Sequence, residues 1–178
     1  MKALVVYESM FGNTAEMGEA VAAALARHGI EVASGPLSRF EGTALAETDL
    51  LVVGGPTHAH GMSSANSRKT AVEDKRFAPD ERPGSGPGIR EWLNDLPPGD
   101  GRPAAAFDTR LLKPRWLTGS AAKGIAGRLV SHGYRLLTEP ESFFVTSEPR
   151  LEEGQAERAT AWGDQLADLA SASASHGA

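Results

Sequence analysis

The chain has 178 residues, 40% of them hydrophobic, a formal net charge of −5 and no cysteine. That length fits one globular domain, expected over 1–170, and the acidic balance excludes nonspecific nucleic-acid binding, which needs a basic surface against phosphates. Without cysteine there is no disulfide, thiolate nucleophile, iron–sulfur cluster or cysteine-bound zinc, so any redox chemistry requires a borrowed cofactor.

Residues 1–6 enter an apolar strand directly. No charged leader with a long apolar run precedes it, and no stretch has the length of a membrane span, so a cytoplasmic location without membrane or nucleic-acid partners is expected. The first strand covers 3–7 and feeds a helix in which Met17, Val21, Ala24 and Leu25 recur at helical spacing before a stop at Gly29. A second strand covers 30–33. A third, at 50–53, shows no polar alternation, as a strand covered by helices on both faces should.

Residues 63–88 are rich in Ser, Pro, Gly and charge, with Val72 and Phe77 as the bulky apolar side chains, and read as a long loop before a short helix over 89–96. A strand at 104–107 is followed by a helix that begins near Ser120, carries Ile125, Leu129 and Val130, and stops at Gly133. The last strand is split into 134–137 and 142–145. A final helix carries Ala159, Trp162, Leu166 and Leu169, and the low-complexity stretch 171–178 is expected to fray beyond it. Strands alternating with helices make the fold class α/β with a parallel sheet. Trp92 and Trp162 fall on apolar helical faces, as packing residues do.

The first strand–helix junction reads "SMFGNT", residues 9–14. Such a junction gathers backbone N–H groups and the positive end of a helix dipole, to which Ser9, Asn13 and Thr14 add donors while Gly12 permits close approach. The set suits a phosphate. It lacks the Gly-Lys-Ser/Thr of a triphosphate loop and the G-x-G-x-x-G of a dinucleotide fold, which leaves a terminal monophosphate held by neutral donors. The competing account is a helix cap, with Asn13 and Glu16 forming a capping-box pair. Two further strand ends bear on the choice, "GGPTHAHGMS" at 54–63 and "FDTRLLKPRWLTGSA" at 107–121, because ligands of such sheets bind where the loops after strands one, three and four converge.

These three segments together resemble the flavin mononucleotide (FMN) loops of the flavodoxin-like family, in order and spacing, across nearly the whole chain. The resemblance implies a flavodoxin-like three-layer α/β/α sandwich with a five-stranded parallel sheet of order 2-1-3-4-5. It implies that Ser9, Met10, Phe11, Gly12, Asn13 and Thr14 hold the FMN phosphate. Pro56, Thr57, His58, Ala59 and His60 would then border one side of the isoalloxazine ring, and Phe107, Asp108, Thr109 and Arg110 the other. Two departures stand out. Phe11 replaces a threonine usual in short electron carriers, and the tryptophan and tyrosine that commonly sandwich the ring have no counterpart, although Trp116 lies a little further along.

The implied function is electron transfer through noncovalent FMN, with a redox protein or small molecule as partner and the oligomeric state open. No residue is singled out as catalytic. An FMN-dependent NAD(P)H:quinone-type reductase and a non-flavin binding module on the same fold are the alternatives. Arg110 is expected either to favour reduced flavin near N1 or to pair with Asp108 or another acid. His58 and His60, spaced i and i+2, lack a third ligand, so no metal is expected. Arg68, Lys69, Lys75, Arg76 and Arg82 make the 63–88 loop basic, either as a solvated segment or as a docking surface.

Overall fold

The computed structural model describes residues 1–40, 45, 47–58, 61–63, 88–148 and 150–175. The strands are β1 (Lys2–Tyr7), β2 (Glu31–Pro36), β3 (Leu50–His58), β4 (Gly61–Met62), β5 (Pro103–Leu111), β6 (Arg135–Leu136) and β7 (Glu141–Val145). The helices are α1 (Asn13–Arg27), α2 (Ile89–Asn94), α3 (Arg115–Thr118), α4 (Ala121–Ser131) and α5 (Gln155–Ser175), with a 3-10 turn at Leu37–Arg39. The sheet runs β2-β1-β3-β5-β6, with β7 also paired to β5 and the short β4 turned back antiparallel against the end of β3. The order 2-1-3-4-5 is recovered with β5 as the fourth strand and the fifth in two parallel pieces, β6 and β7.

Alternating side chains of the central strands feed two cores. Ala3, Val5, Tyr7, Leu50, Val52, Ala105 and Phe107 pack beneath α1 and α5, where Met17, Val21, Leu25, Trp162 and Leu166 meet them. Leu4, Val6, Leu51, Val53, Ala104 and Ala106 point the other way, beneath Ile89, Trp92 and Leu93 of α2 and Ile125 and Leu129 of α4. Three layers result. Trp92 and Trp162 are both buried, and Trp92 Nε1 donates to the Phe40 carbonyl at 3.1 Å.

Strands β3 and β5 each run nine residues, well past the four that apolar patterning marks. The reason lies in the pair Gly54–Gly55, whose composition reads as a turn. Both continue the parallel ladder, Gly54 opposite Phe107 and Gly55 opposite Asp108. Glycine is required at 54 because the Phe107 ring lies across it: a Cβ there would stand 2.0 Å from the ring's Cζ. Phe107 in turn packs edge-on against Phe143 and Trp162, with centroids 5.9 and 6.0 Å away. Pro56 is tolerated because the β1 ladder ends at Tyr7 opposite Gly54, so its missing N–H costs no bond to β1.

The expected fraying from 171 onward does not hold for 171–175, which remain in α5. Ala170 is 1% exposed, and Ser173 Oγ donates to the Leu169 carbonyl at 2.9 Å, so a stretch of low complexity still forms helix by alanine propensity and anchored packing. Residues 176–178 lie outside the described residues.

Because the space above Gly54 is filled by an immobile aromatic, Gly54→Ala should destabilise the fold by about 1–3 kcal/mol. Urea unfolding checks this, and an unchanged midpoint would refute the close approach.

Candidate functional site

Gly12 takes the left-handed conformation, φ 81° and ψ −28°, and turns the chain from β1 into α1. Glycine enters that region without a Cβ penalty, and for the same reason contributes no capping oxygen. The Asn13–Glu16 capping box is therefore corrected: Asn13 is the first helical residue, Glu16 N donates to the Gly12 carbonyl at 2.9 Å, and Ser9 Oγ accepts from Ala15 N at 3.3 Å. Met10 is buried, while Phe11 is half-buried. Thr14 is 2% exposed, and its Oγ1 lies 2.7 Å from Thr109 Oγ1 on β5. That bond brings the first and third motifs together across 95 residues of chain.

Glu8 holds the next junction. Its Oε2 accepts from Ser63 Oγ at 2.5 Å and from Ile89 N at 3.2 Å, so one carboxylate beside the first motif joins the residue after β4 to the start of α2. Arg90 fixes the same corner, donating from Nε to the Ser63 carbonyl at 2.8 Å and from Nη2 to the Met62 carbonyl at 2.8 Å. Sequence reasoning passed over Glu8, Ser63 and Arg90. Ser63 only closes the second motif, and it is the fold that brings residues 8, 63 and 89 together.

Thr57 and His58 end β3, and β4 pairs back with Met62 opposite Thr57 and Gly61 opposite His58. Ala59 and His60 lie outside the described residues, as do Arg68, Lys69, Lys75, Arg76 and Arg82. His58 Nε2 is buried and has no hydrogen-bond partner among the described residues. Burial disfavours the charged imidazolium and lowers the His58 pKa below the ordinary 6.5, so the ring is neutral at neutral pH.

The third motif divides between core and edge. Phe107, expected beside the ring, is fully buried in the core beneath α1 and α5, because strand alternation turns it to that face. Asp108 is also 0% exposed. Its Oδ2 accepts from Thr57 Oγ1 at 2.9 Å, Ser120 Oγ at 2.8 Å and Ala122 N at 2.9 Å. Thr57 Oγ1 accepts in turn from Ala121 N at 2.8 Å, and Ser120 Oγ from Lys123 N at 3.4 Å. Thus three of the four amides that open α4 are capped from residues 57, 108 and 120, and a carboxylate sits at the positive end of its dipole. Asp108 Oδ1 has no partner among the described residues.

Arg110 is 7% exposed and turns toward its own loop. Its Nη1 donates to the Lys113 carbonyl at 2.7 Å and to Thr118 Oγ1 at 3.2 Å, and the guanidinium carbon lies 5.0 Å from the Phe144 ring centre. It shapes the turn through α3. Among the described residues no three His, Asp or Glu gather as metal ligands, and no helix is long and apolar enough to cross a membrane.

The donor set fits FMN in kind. The neutral turn at α1 suits a phosphate, and the buried polar atoms His58 Nε2 and Asp108 Oδ1 match the carbonyls and N–H of a flavin's pyrimidine edge. Since His58 has a lower pKa folded than unfolded, its share of stability is present above 6.5 and lost as the pH falls through the folded value. His58→Asn should therefore lose less stability than wild type as the pH falls from 6.5 toward the folded value, as urea midpoints across that range would report; parallel pH profiles would contradict it.

The family model described as Flavodoxin matches residues 5–98, which takes in the first two motifs and stops before the third. No curated protein matches the chain. Among solved structures, a flavodoxin from the domain Archaea is 19% identical, with a TM-score of 0.67 over 96% of this chain and 99% of that one. Flavodoxin 2 from Bacillus cereus is 20% identical, with a TM-score of 0.68 over 94% of this chain and 99% of that one. The flavodiiron protein from Giardia intestinalis is 21% identical at a TM-score of 0.63, where the match spans 96% of this chain but 36% of that larger protein. Identities this low show a shared fold, and the sequence match over more than half the chain supplies the kinship: the chain belongs to the flavodoxin family.

Proposed function

We propose that this protein transfers electrons through a noncovalently bound FMN at the carboxyl edge of its sheet, passing them between redox partners. The observation that carries this reading is the Thr14–Thr109 bond, which joins a phosphate-type turn to the strand behind the third loop. Ser9, Gly12, Asn13 and Thr14 would hold the phosphate. His58 and Asp108 would meet the pyrimidine edge, with Pro56 and Thr57 beneath it. When bound, the flavin supplies one- and two-electron chemistry that protein side chains lack.

The chain's own groups bind and orient. The dipole of α1 and the hydroxyls of Ser9 and Thr14 favour an anion without a lysine or arginine in the turn. Neutral His58 offers a ring nitrogen without bringing a cation to the site. Arg110 acts through the loop it folds, by donating to Lys113 and Thr118, in contrast to the tuning role near N1.

Calorimetric titration with FMN and with riboflavin tests the reading. FMN should bind, and riboflavin, which lacks the phosphate, should bind at least about tenfold more weakly because charge-assisted bonds to the turn are lost. Thr14→Val should weaken FMN by about tenfold, the scale of one buried hydrogen bond, and leave riboflavin less affected. Equal affinity for the two flavins would remove the phosphate site.

A further inference from the structure

Residues 109–138 carry Arg110, Lys113, Arg115, Lys123, Arg128 and Arg135 and no Asp or Glu, the longest acid-free run in a chain with 23 acidic and 18 basic residues. The remaining sequence therefore holds all 23 acids against twelve bases. The run starts inside β5, passes through α3 and all of α4 and ends beyond β6, so its part from 110 to 123 lies along the third loop of the candidate site, with Arg128 and Arg135 beyond it.

Its apolar content is equally uneven. Five large hydrophobic side chains are exposed among the described residues, and three of them fall within six positions: Leu112 at 62%, Trp116 at 83% and Leu117 at 46%. The turn that displays them is held from inside, since buried Arg110 donates to the Lys113 carbonyl and Thr118 Oγ1 and stacks over Phe144. Lys113 and Lys123 are exposed and have no acidic partner among the described residues. A braced turn presenting a tryptophan beside exposed lysines has the make-up of an interface anchor: an aromatic that gains by desolvation, with charges around it that steer the approach.

We propose that residues 112–123 form a docking surface for an acidic electron-transfer protein, with Trp116 as the apolar anchor and Lys113 and Lys123 as the charged rim. Charge complementarity selects this occupant. A second copy docked face to face would bring the same cations together. The placement beside the cofactor rests on the FMN reading; the surface itself can be tested without flavin.

The test uses two probes that share a haem and differ in charge, succinylated cytochrome c, which is anionic, and native cytochrome c, which is cationic. Binding is measured by calorimetry to the FMN-loaded and flavin-free chain. Transfer is followed by stopped flow, one electron leaving the reduced flavin and converting one haem from Fe(III) to Fe(II). The succinylated probe should bind more tightly than the native one and lose affinity as salt rises. Trp116→Ser, and separately the double change Lys113→Glu with Lys123→Glu, should each weaken it about tenfold and slow transfer in parallel, with FMN affinity unchanged.

Tighter binding of native cytochrome c, or variants that bind the succinylated probe as wild type does, would overturn the proposal. So would a Trp116→Ser protein that loses FMN affinity but keeps probe affinity, which would make Trp116 a flavin-covering residue, or Trp116-dependent self-association in sedimentation without probe binding. If FMN fails to bind while the flavin-free chain still takes the succinylated probe through Trp116, the docking surface stands and the electron-transfer reading falls.

Discussion

A single carboxylate oxygen, Asp108 Oδ2, organises the edge of the sheet on which the function rests. It lies in a fully buried residue and accepts from a threonine of β3, a serine of the third loop and an amide of α4. A buried carboxylate is costly unless its hydrogen bonds are made, so three donors must arrive together when the chain folds. That requirement fixes the end of β3, the start of α4 and the loop between β5 and α4 relative to one another. The second and third loops are positioned by the same atom.

The two helix starts at this edge consequently differ. At α4 the opening amides are satisfied by Thr57, Asp108 and Ser120, so that end is closed by protein. At α1 the turn is made by Gly12, which has no side chain to offer, and the first-turn side-chain cap is Ser9 Oγ on Ala15. A phosphate suits the second arrangement. The Thr14–Thr109 bond then ties this turn to the strand carrying Asp108, one residue along, so the glycine turn and the buried carboxylate belong to one framework.

Much of this was legible in the residues. Helix and strand periodicities locate every long element, and the three motifs at residues 9–14, 54–63 and 107–121 mark the carboxyl edge of the sheet. What stayed hidden has physical causes. Gly54 and Gly55 carry the composition of a turn, yet they extend β3 because the Phe107 ring needs the space a side chain would fill. Phe107 looked like a ring-flanking residue by motif position, but strand alternation sends it inward while Asp108 turns toward α4. Glu8 drew no notice because its partners are Ser63 and Ile89, distant in sequence. Arg110 showed its charge but not its target, since donation to a carbonyl three residues ahead follows from the path of the loop.

The most direct test of the Asp108 framework is a double-mutant cycle between Thr57→Val and Asp108→Ala, read as unfolding free energy in urea. If the Thr57 hydroxyl and the Asp108 carboxylate stabilise the edge as one unit, the combined loss should fall short of the sum of the single losses by about 1–3 kcal/mol. Strictly additive losses would contradict the account, because β3 and the third loop would then be held in place independently.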